Sequence, residues 1–144
     1  MIGREEIAAL IPHAGTMCLL DRVLEWDQTS IRCLSTRHRA EDNPMRRESG
    51  LGALCGIEFA AQAMAAHGRL AGGVGRKPQA GFLASLRDVR CSVGRLDHLE
   101  GDLIITAEHL MGDAQQVIYR FSLACGGTLL LSGRAAVVLD AGAP

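Results

Sequence analysis

Apolar and polar positions along the chain fall into distinct periods, and each period predicts an element. Residues 4–10 place Ile7, Ala8 and Leu10 at helical spacing, which predicts a short helix. A break follows, because Pro12 disfavours helix at the residue before it and Gly15 permits a tight bend. Residues 18–26 run apolar and then alternate, which predicts a strand. Gln28, Thr29 and Ser30 supply its turn. Residues 31–36 supply its antiparallel partner, with Ile31, Cys33 and Ser35 on one face and Arg32, Leu34 and Thr36 on the other. Residues 37–52 are the most polar stretch and have no period. They read as a loop longer than the usual connection, and such loops are disproportionately functional. Residues 54–71 predict the one long helix. Cys55, Ile57, Phe59, Ala60, Ala61, Ala63, Met64, Ala65 and Ala66 leave it almost no polar face, so it is expected to be buried. Gly72, Gly73 and Gly75 follow it and tolerate left-handed geometry at a helix end. Four strand patterns complete the chain, at 79–91, 102–111, 115–124 and 128–139. Gly112-Asp113 and Gly126-Gly127 stand where the later hairpins need turns. A flat sheet cannot bury such a helix on every side. The pattern therefore predicts an α+β fold with a sheet curled around the helix and a further surface, such as a partner subunit, on the far side.

Composition narrows the class. The 144 residues are expected to form one domain, 1–144, with a core that needs neither disulfides nor metal. Fifteen Lys+Arg against sixteen Asp+Glu give a net charge of -1, which lowers the prospect of a dedicated nucleic-acid binder. No apolar run approaches a membrane span, and the charges of the first ten residues do not suit a signal peptide. Cys18, Cys33, Cys55, Cys91 and Cys125 are scattered and odd in number. They read as buried small hydrophobes of a cytoplasmic protein, not as a disulfide framework or a zinc site. The basic residues are fourteen arginines and only Lys77, a bias that favours phosphate and carboxylate partners.

Four stretches, in order and at compatible spacing, resemble the hotdog-fold 3-hydroxyacyl-acyl-carrier-protein dehydratases. They are Ile11-Pro12-His13 with the run from Met17 to Leu24, the helix from Gly56 to Ala65, the segment from Gly81 to Arg90, and Leu99-Glu100-Gly101-Asp102-Leu103. The resemblance covers nearly the whole chain. It implies a hotdog fold, a curved antiparallel sheet wrapped around one long central helix, with two such chains paired as a homodimer or a heterodimer. It further implies active sites at the subunit interface, a histidine from the loop before the helix, an acidic residue on the helix, and no cofactor. The substrate would be a 3-hydroxyacyl thioester of acyl carrier protein or coenzyme A, losing water to give the trans-2-enoyl thioester. Asn43-Pro44 in the loop and Gly56-Ile57-Glu58 on the helix look like a divergent branch that accompanies polyketide-like and aryl-polyene-type lipid synthesis.

Glu58 is the leading catalytic candidate. On a wheel of 100° per residue it lies about 40° from Leu54 and about 20° from Ala65, at the edge of the apolar stripe. A carboxyl at the border of a low-dielectric region can hold or pass a proton. The plain alternative is a carboxylate that reaches solvent or pairs with Arg47. Gln62 lies one turn later on the same side, and the resemblance makes it the residue that orients the acid. The histidine departs from the family pattern. Fourteen residues before Glu58, where the family has it, stands Pro44, and the Phe-Pro-Gly turn is missing. His38 is the loop's only candidate for a second proton-transfer group, with Asn43 as a hydrogen-bond partner. His67 is about 180° around the helix from Glu58, and His98 and His109 fall in the later strands. The chain is thus either a divergent dehydratase or a non-catalytic partner of an active hotdog subunit; an acyl-thioesterase is a third reading. Gly52 and Gly56 flank the helix start, where free N–H groups polarise a carbonyl; Gly56 is the expected backbone donor, with close helix–sheet packing as the alternative. Asn43, Met45, Arg46 and Arg47 are the substrate-binding candidates. Arg37, Arg39, Arg46 and Arg47, with Arg76 and Lys77 further on, offer a basic rim for an acidic carrier protein. Met17, Met45, Met64 and Met111 suit an acyl tunnel or simple core filling.

Overall fold

The computed structural model describes residues 1–11, 15–72 and 81–139. The break at Pro12 and His13, the Gly73 to Gly75 helix stop, Arg76, Lys77, the start of the 79–91 strand pattern and the C-terminal tail lie outside the described residues. The elements are β1 (Ile2–Gly3), α1 (Arg4–Leu10), β2 (Arg22–Trp26), β3 (Ser30–Ser35), α2 (Gly56–Ala71), β4 (Gly81–Cys91), β5 (Leu103–Gly112), β6 (Gln116–Cys125) and β7 (Thr128–Leu139). All seven strands join one curved antiparallel sheet in the order β1-β2-β3-β5-β6-β7-β4. The helix α2 lies against β3, β5 and β6.

The period-2 patterns explain the core. Ile31, Cys33 and Ser35 of β3, Leu103, Ile105 and Ala107 of β5, and Tyr119, Phe121 and Leu123 of β6 all point inward and are buried. Phe59, Ala60, Ala63, Met64 and Ala66 of α2 meet them. Small side chains let the helix axis approach the sheet. At Gly56 the approach is closest, since a Cβ there would lie 2.9 Å from methyl carbons of both Leu123 and Leu131. The hairpin turns follow local chemistry. Asp27 Oδ1 accepts the N–H groups of Thr29 and Ser30 at 2.8 Å, and Asp113 Oδ1 does the same for Gln115 and Gln116. Gly126 and Gly127 adopt φ of 59° and 82°, the left-handed pair a two-residue hairpin requires.

Several expectations are corrected. The long helix begins at Gly56, after a 3-10 turn over Ala53–Cys55. It is not buried all round in the single chain. Leu54 is 61% exposed, Ala65 and Gly68 are exposed, and Glu58 and Ala61 are half-buried, because the sheet covers one side only. Gly72 closes the helix at φ −77°, a right-handed conformation open to any residue. Residues 18–21 are not strand. Their backbone is satisfied by side chains, as Leu19 N–H donates to Gln62 Oε1 and Ser35 Oγ donates to Leu19 O. Cys91 is exposed, whereas Cys18 and Cys33 are buried. The two-residue β1, which pairs with β2, had no signal in the sequence.

Candidate functional site

Gln62 organises the exposed side of α2. It is fully buried, and its amide is used at both ends. Oε1 accepts Leu19 N–H at 2.8 Å, and Nε2 donates to Met17 O at 2.8 Å. The buried N–H of Leu19 needs an acceptor, and no strand is there to supply one. The same Nε2 lies 3.5 Å from Glu58 Oε1. The opening segment thus fixes Gln62, and Gln62 presents its second N–H to Glu58. Leu54, one turn before Glu58, and Met17, whose carbonyl Gln62 holds, both expose their side chains, so the carboxylate borders apolar surface.

The loop between β3 and α2 is tied down along its length. At its start Asp21 Oδ2 accepts Thr36 N–H at 2.7 Å and the Thr36 hydroxyl at 2.8 Å. In its middle Asn43 Nδ2 donates to Arg37 O and Asn43 Oδ1 accepts Met45 N–H, both at 2.9 Å. Arg39 reaches Glu100 O at 2.8 Å and Asp102 at 3.3 Å. At its end Leu51 N–H donates to Asp97 Oδ1 and Leu96 N–H to Leu51 O. The Arg95 guanidinium and the Leu51 N–H hold the Asp97 carboxyl well below the usual range.

His38 is fully buried in this loop, with Nε2 2.9 Å from Leu99 O. A carbonyl only accepts, so Nε2 carries the proton and Nδ1 bears the lone pair. That Nδ1 is buried without a partner. Burial pushes the imidazole below its ordinary range, against the pull of the Leu99 carbonyl, and holds it neutral. Of the substrate-binding candidates, Asn43 spends its amide within the loop, and Met45 packs half-buried against the core. Arg46 is half-buried, and Arg47 is exposed with Nη1 toward the carbonyls of Pro44 and Arg46. Gly56 does not offer the free N–H expected of it. The 3-10 turn directs that group to the carbonyls of Ala53 and Leu54, and the residue's tight seat on Leu123 and Leu131 fits the packing alternative.

A second buried cluster went unread in the sequence. His67 Nδ1 accepts the Tyr119 hydroxyl at 2.7 Å, and His67 Nε2 donates to Asp27 O at 2.9 Å. The Tyr119 ring stands edge-on to both His67 and His109. Burial lowers His67 and pushes the Tyr119 hydroxyl up to about 12. The signal was a histidine at a core spacing of the helix facing a tyrosine at an inward position of β6. Among the described residues no three His, Cys, Asp or Glu side chains cluster as a metal site, and no helix is long and apolar enough to cross a membrane.

One long helix laid in the concave face of a curved antiparallel sheet, with an acidic residue and a glutamine one turn apart on its open side, defines a hotdog-fold protein of the dehydratase type. The chain belongs to the ApeP-like family, described as ApeP dehydratase, whose profile matches residues 5–141. It is similar to a chain of the dehydratase heterocomplex ApeI:P from Xenorhabdus doucetiae. The two share 25% identity at a TM-score of 0.83, over 93% of this chain and 90% of that one. AziG of S. sahachiroi shares the fold at 16% identity and a TM-score of 0.66, over 90% of this chain and 97% of that one. The PaaI protein of the E. coli phenylacetic acid degradation operon shares it at 13% identity and 0.60, over 81% of this chain and 80% of that one. No curated protein matches the chain in sequence.

Proposed function

We propose that the chain is the carboxylate-bearing subunit of a two-chain dehydratase acting on 3-hydroxyacyl thioesters of acyl carrier protein or coenzyme A. The observation that carries this reading is Glu58, half-buried on the open side of α2 and held beside the fixed amide of Gln62. Dehydration needs a base to take the proton from C2 and an acid to protonate the departing C3 hydroxyl. The C2–H electron pair becomes the C2–C3 double bond, water leaves, and no cofactor takes part. Glu58 supplies one proton-transfer group and Gln62 orients it. The loop that bears the family's histidine has Pro44 at that spacing, and its own His38 is spent on the Leu99 carbonyl. His38 is therefore a positioning residue that keeps the loop on the 99–101 segment, and a second hotdog chain brings the histidine. The likeness to a chain of a dehydratase heterocomplex supports this division of labour.

The test is dehydration of a carrier-bound 3-hydroxyacyl chain, followed by intact mass. The chain alone is expected to leave the substrate unchanged. The same chain co-purified with its hotdog partner is expected to remove one water, and Glu58→Gln in this chain is expected to abolish that without altering assembly. Turnover by a homodimer of this chain would overturn the two-chain reading. Full turnover by the Glu58→Gln complex would remove Glu58 from the chemistry. Release of free thiol in place of water would mark a thioesterase.

A further inference from the structure

The outer face of the sheet, opposite α2, carries an arginine row. The strand register sets Glu108 of β5, Arg120 of β6, Arg134 of β7 and Arg87 of β4 directly opposite one another. All four are exposed, while their neighbours Ala107, Tyr119, Phe121 and Ala135 are buried on the inner face. The next row on the outer face is Thr106, Ser122, Ser132 and Arg90. Glu108 lies 3.7 Å from Arg120. Among the described residues no carboxylate pairs with Arg134, Arg87 or Arg90. Asp88 sits in the bulge between Arg87 and Arg90, at φ 55°, and makes no ion pair either. Like charges directly opposite across a sheet destabilise it, and an inward-facing explanation is closed by the exposure of all three guanidinium groups.

We propose that this row is the docking surface for an acidic helix of the carrier protein that delivers the acyl thioester; the proposal rests on the acyl-thioester reading above. The spacing fits that occupant. Adjacent strands stand about 4.8 Å apart, so Arg87, Arg134 and Arg120 span about 10 Å in even steps. Carboxylates one and two turns apart on a helix repeat at about 5–6 Å, so a helix laid across the strands presents one acid to each arginine. The guanidinium fork takes a carboxylate bidentately, which gives the row register as well as charge. The contact lies on the face away from Glu58, so docking and chemistry are separable by mutation.

The test uses the chain together with its hotdog partner, and two substrates that bear the same 3-hydroxyacyl group, one on acyl carrier protein and one on pantetheine alone. Arg87→Glu with Arg134→Glu is expected to weaken carrier-protein binding about tenfold or more and to raise KM for the carrier substrate while kcat holds. Turnover of the pantetheine substrate is expected to be unchanged. Arg87→Lys with Arg134→Lys is expected to keep most of the binding, and wild-type affinity is expected to fall as salt rises. Unchanged carrier binding by the Glu variants would overturn the proposal, as would an equal loss on pantetheine, which would mean a damaged site. If wild type dehydrates pantetheine but does not bind the carrier, the docking proposal alone falls. If it does neither, the acyl-thioester reading falls with it.

Discussion

Replacing Gln62 by methionine keeps the volume of the side chain and deletes both of its hydrogen bonds to the opening segment. The Leu19 N–H is then left buried with no acceptor, since the segment has no strand beside it. An orphaned buried donor costs about 1–3 kcal/mol. Met17 O belongs to a residue that is 46% exposed, so water replaces Nε2 there and the loss is about 0.5–1 kcal/mol. The sum is about 2–4 kcal/mol. For the unfolding entropy of a chain of 144 residues, each kcal/mol moves Tm by about 3 °C, so Gln62→Met is expected to melt about 6–12 °C lower. Circular dichroism melts and urea titrations at one fixed protein concentration measure this. Ser35→Ala, which frees the carbonyl of the same Leu19, is expected to couple with it, the double variant losing less than the sum. A Tm change below about 2 °C in Gln62→Met would refute the claim that a side chain stands in for a missing strand at Leu19.

Two further outcomes follow from the buried groups. His38 and His67 are both held below the ordinary 6.5 by burial. For a base depressed in the folded state, only the unfolded chain takes up a proton just below pH 6.5. Unfolding free energy is therefore expected to be flat from pH 8 to 7 and to fall below about 6.5, by up to about 1.4 kcal/mol per pH unit for each histidine. Stability that rises on acidification across that window would contradict the neutral assignment of both rings. The cysteines are expected to divide by burial when the native chain meets a disulfide dye. Cys91 should react at once, while Cys18, and Cys33 with its thiol pushed up to about 12, should react only in denaturant. Prompt labelling of Cys33 in the native chain would show its strand to be open.

Where burial follows a simple period, the sequence was readable. Residues 4–10 and β5, β6 and β7 stand within a residue of their expected bounds, and the inward set of β3 is the set Ile31, Cys33 and Ser35. The four motifs, taken in order, pointed to the family that the 5–141 match shows. What failed to show locally was whatever depends on a partner distant in sequence. Residues 18–21 have strand composition, yet a glutamine more than forty residues away takes the place of their ladder. Helix α2 has an apolar circumference, yet a single sheet covers only one side of it. Gly56 has a helix-start position, yet a 3-10 turn takes its N–H. Glu58 beside Gln62 was legible because both sit one turn apart on one helix. The buried triad of Asp27, His67 and Tyr119 was not, because it gathers a turn, a helix and a strand.

The strand order carries a consequence for the timing of assembly. β4 precedes β5, β6 and β7 along the chain, but its neighbour in the sheet is β7, the last strand made. At about 5–20 residues per second, β4 leaves the ribosome seconds before residues 128–139 exist to pair with it. During that interval it is a strand of eleven residues with both edges open and with Leu83 and Leu86 on show. Every neighbour it will have within its own chain is still unsynthesised, while the open edge of an already folded hotdog subunit is available at once. Translating the two subunits close together in time therefore shortens the period in which β4 can pair wrongly. The yield of folded chain is expected to depend on when its partner is made as well as on how much.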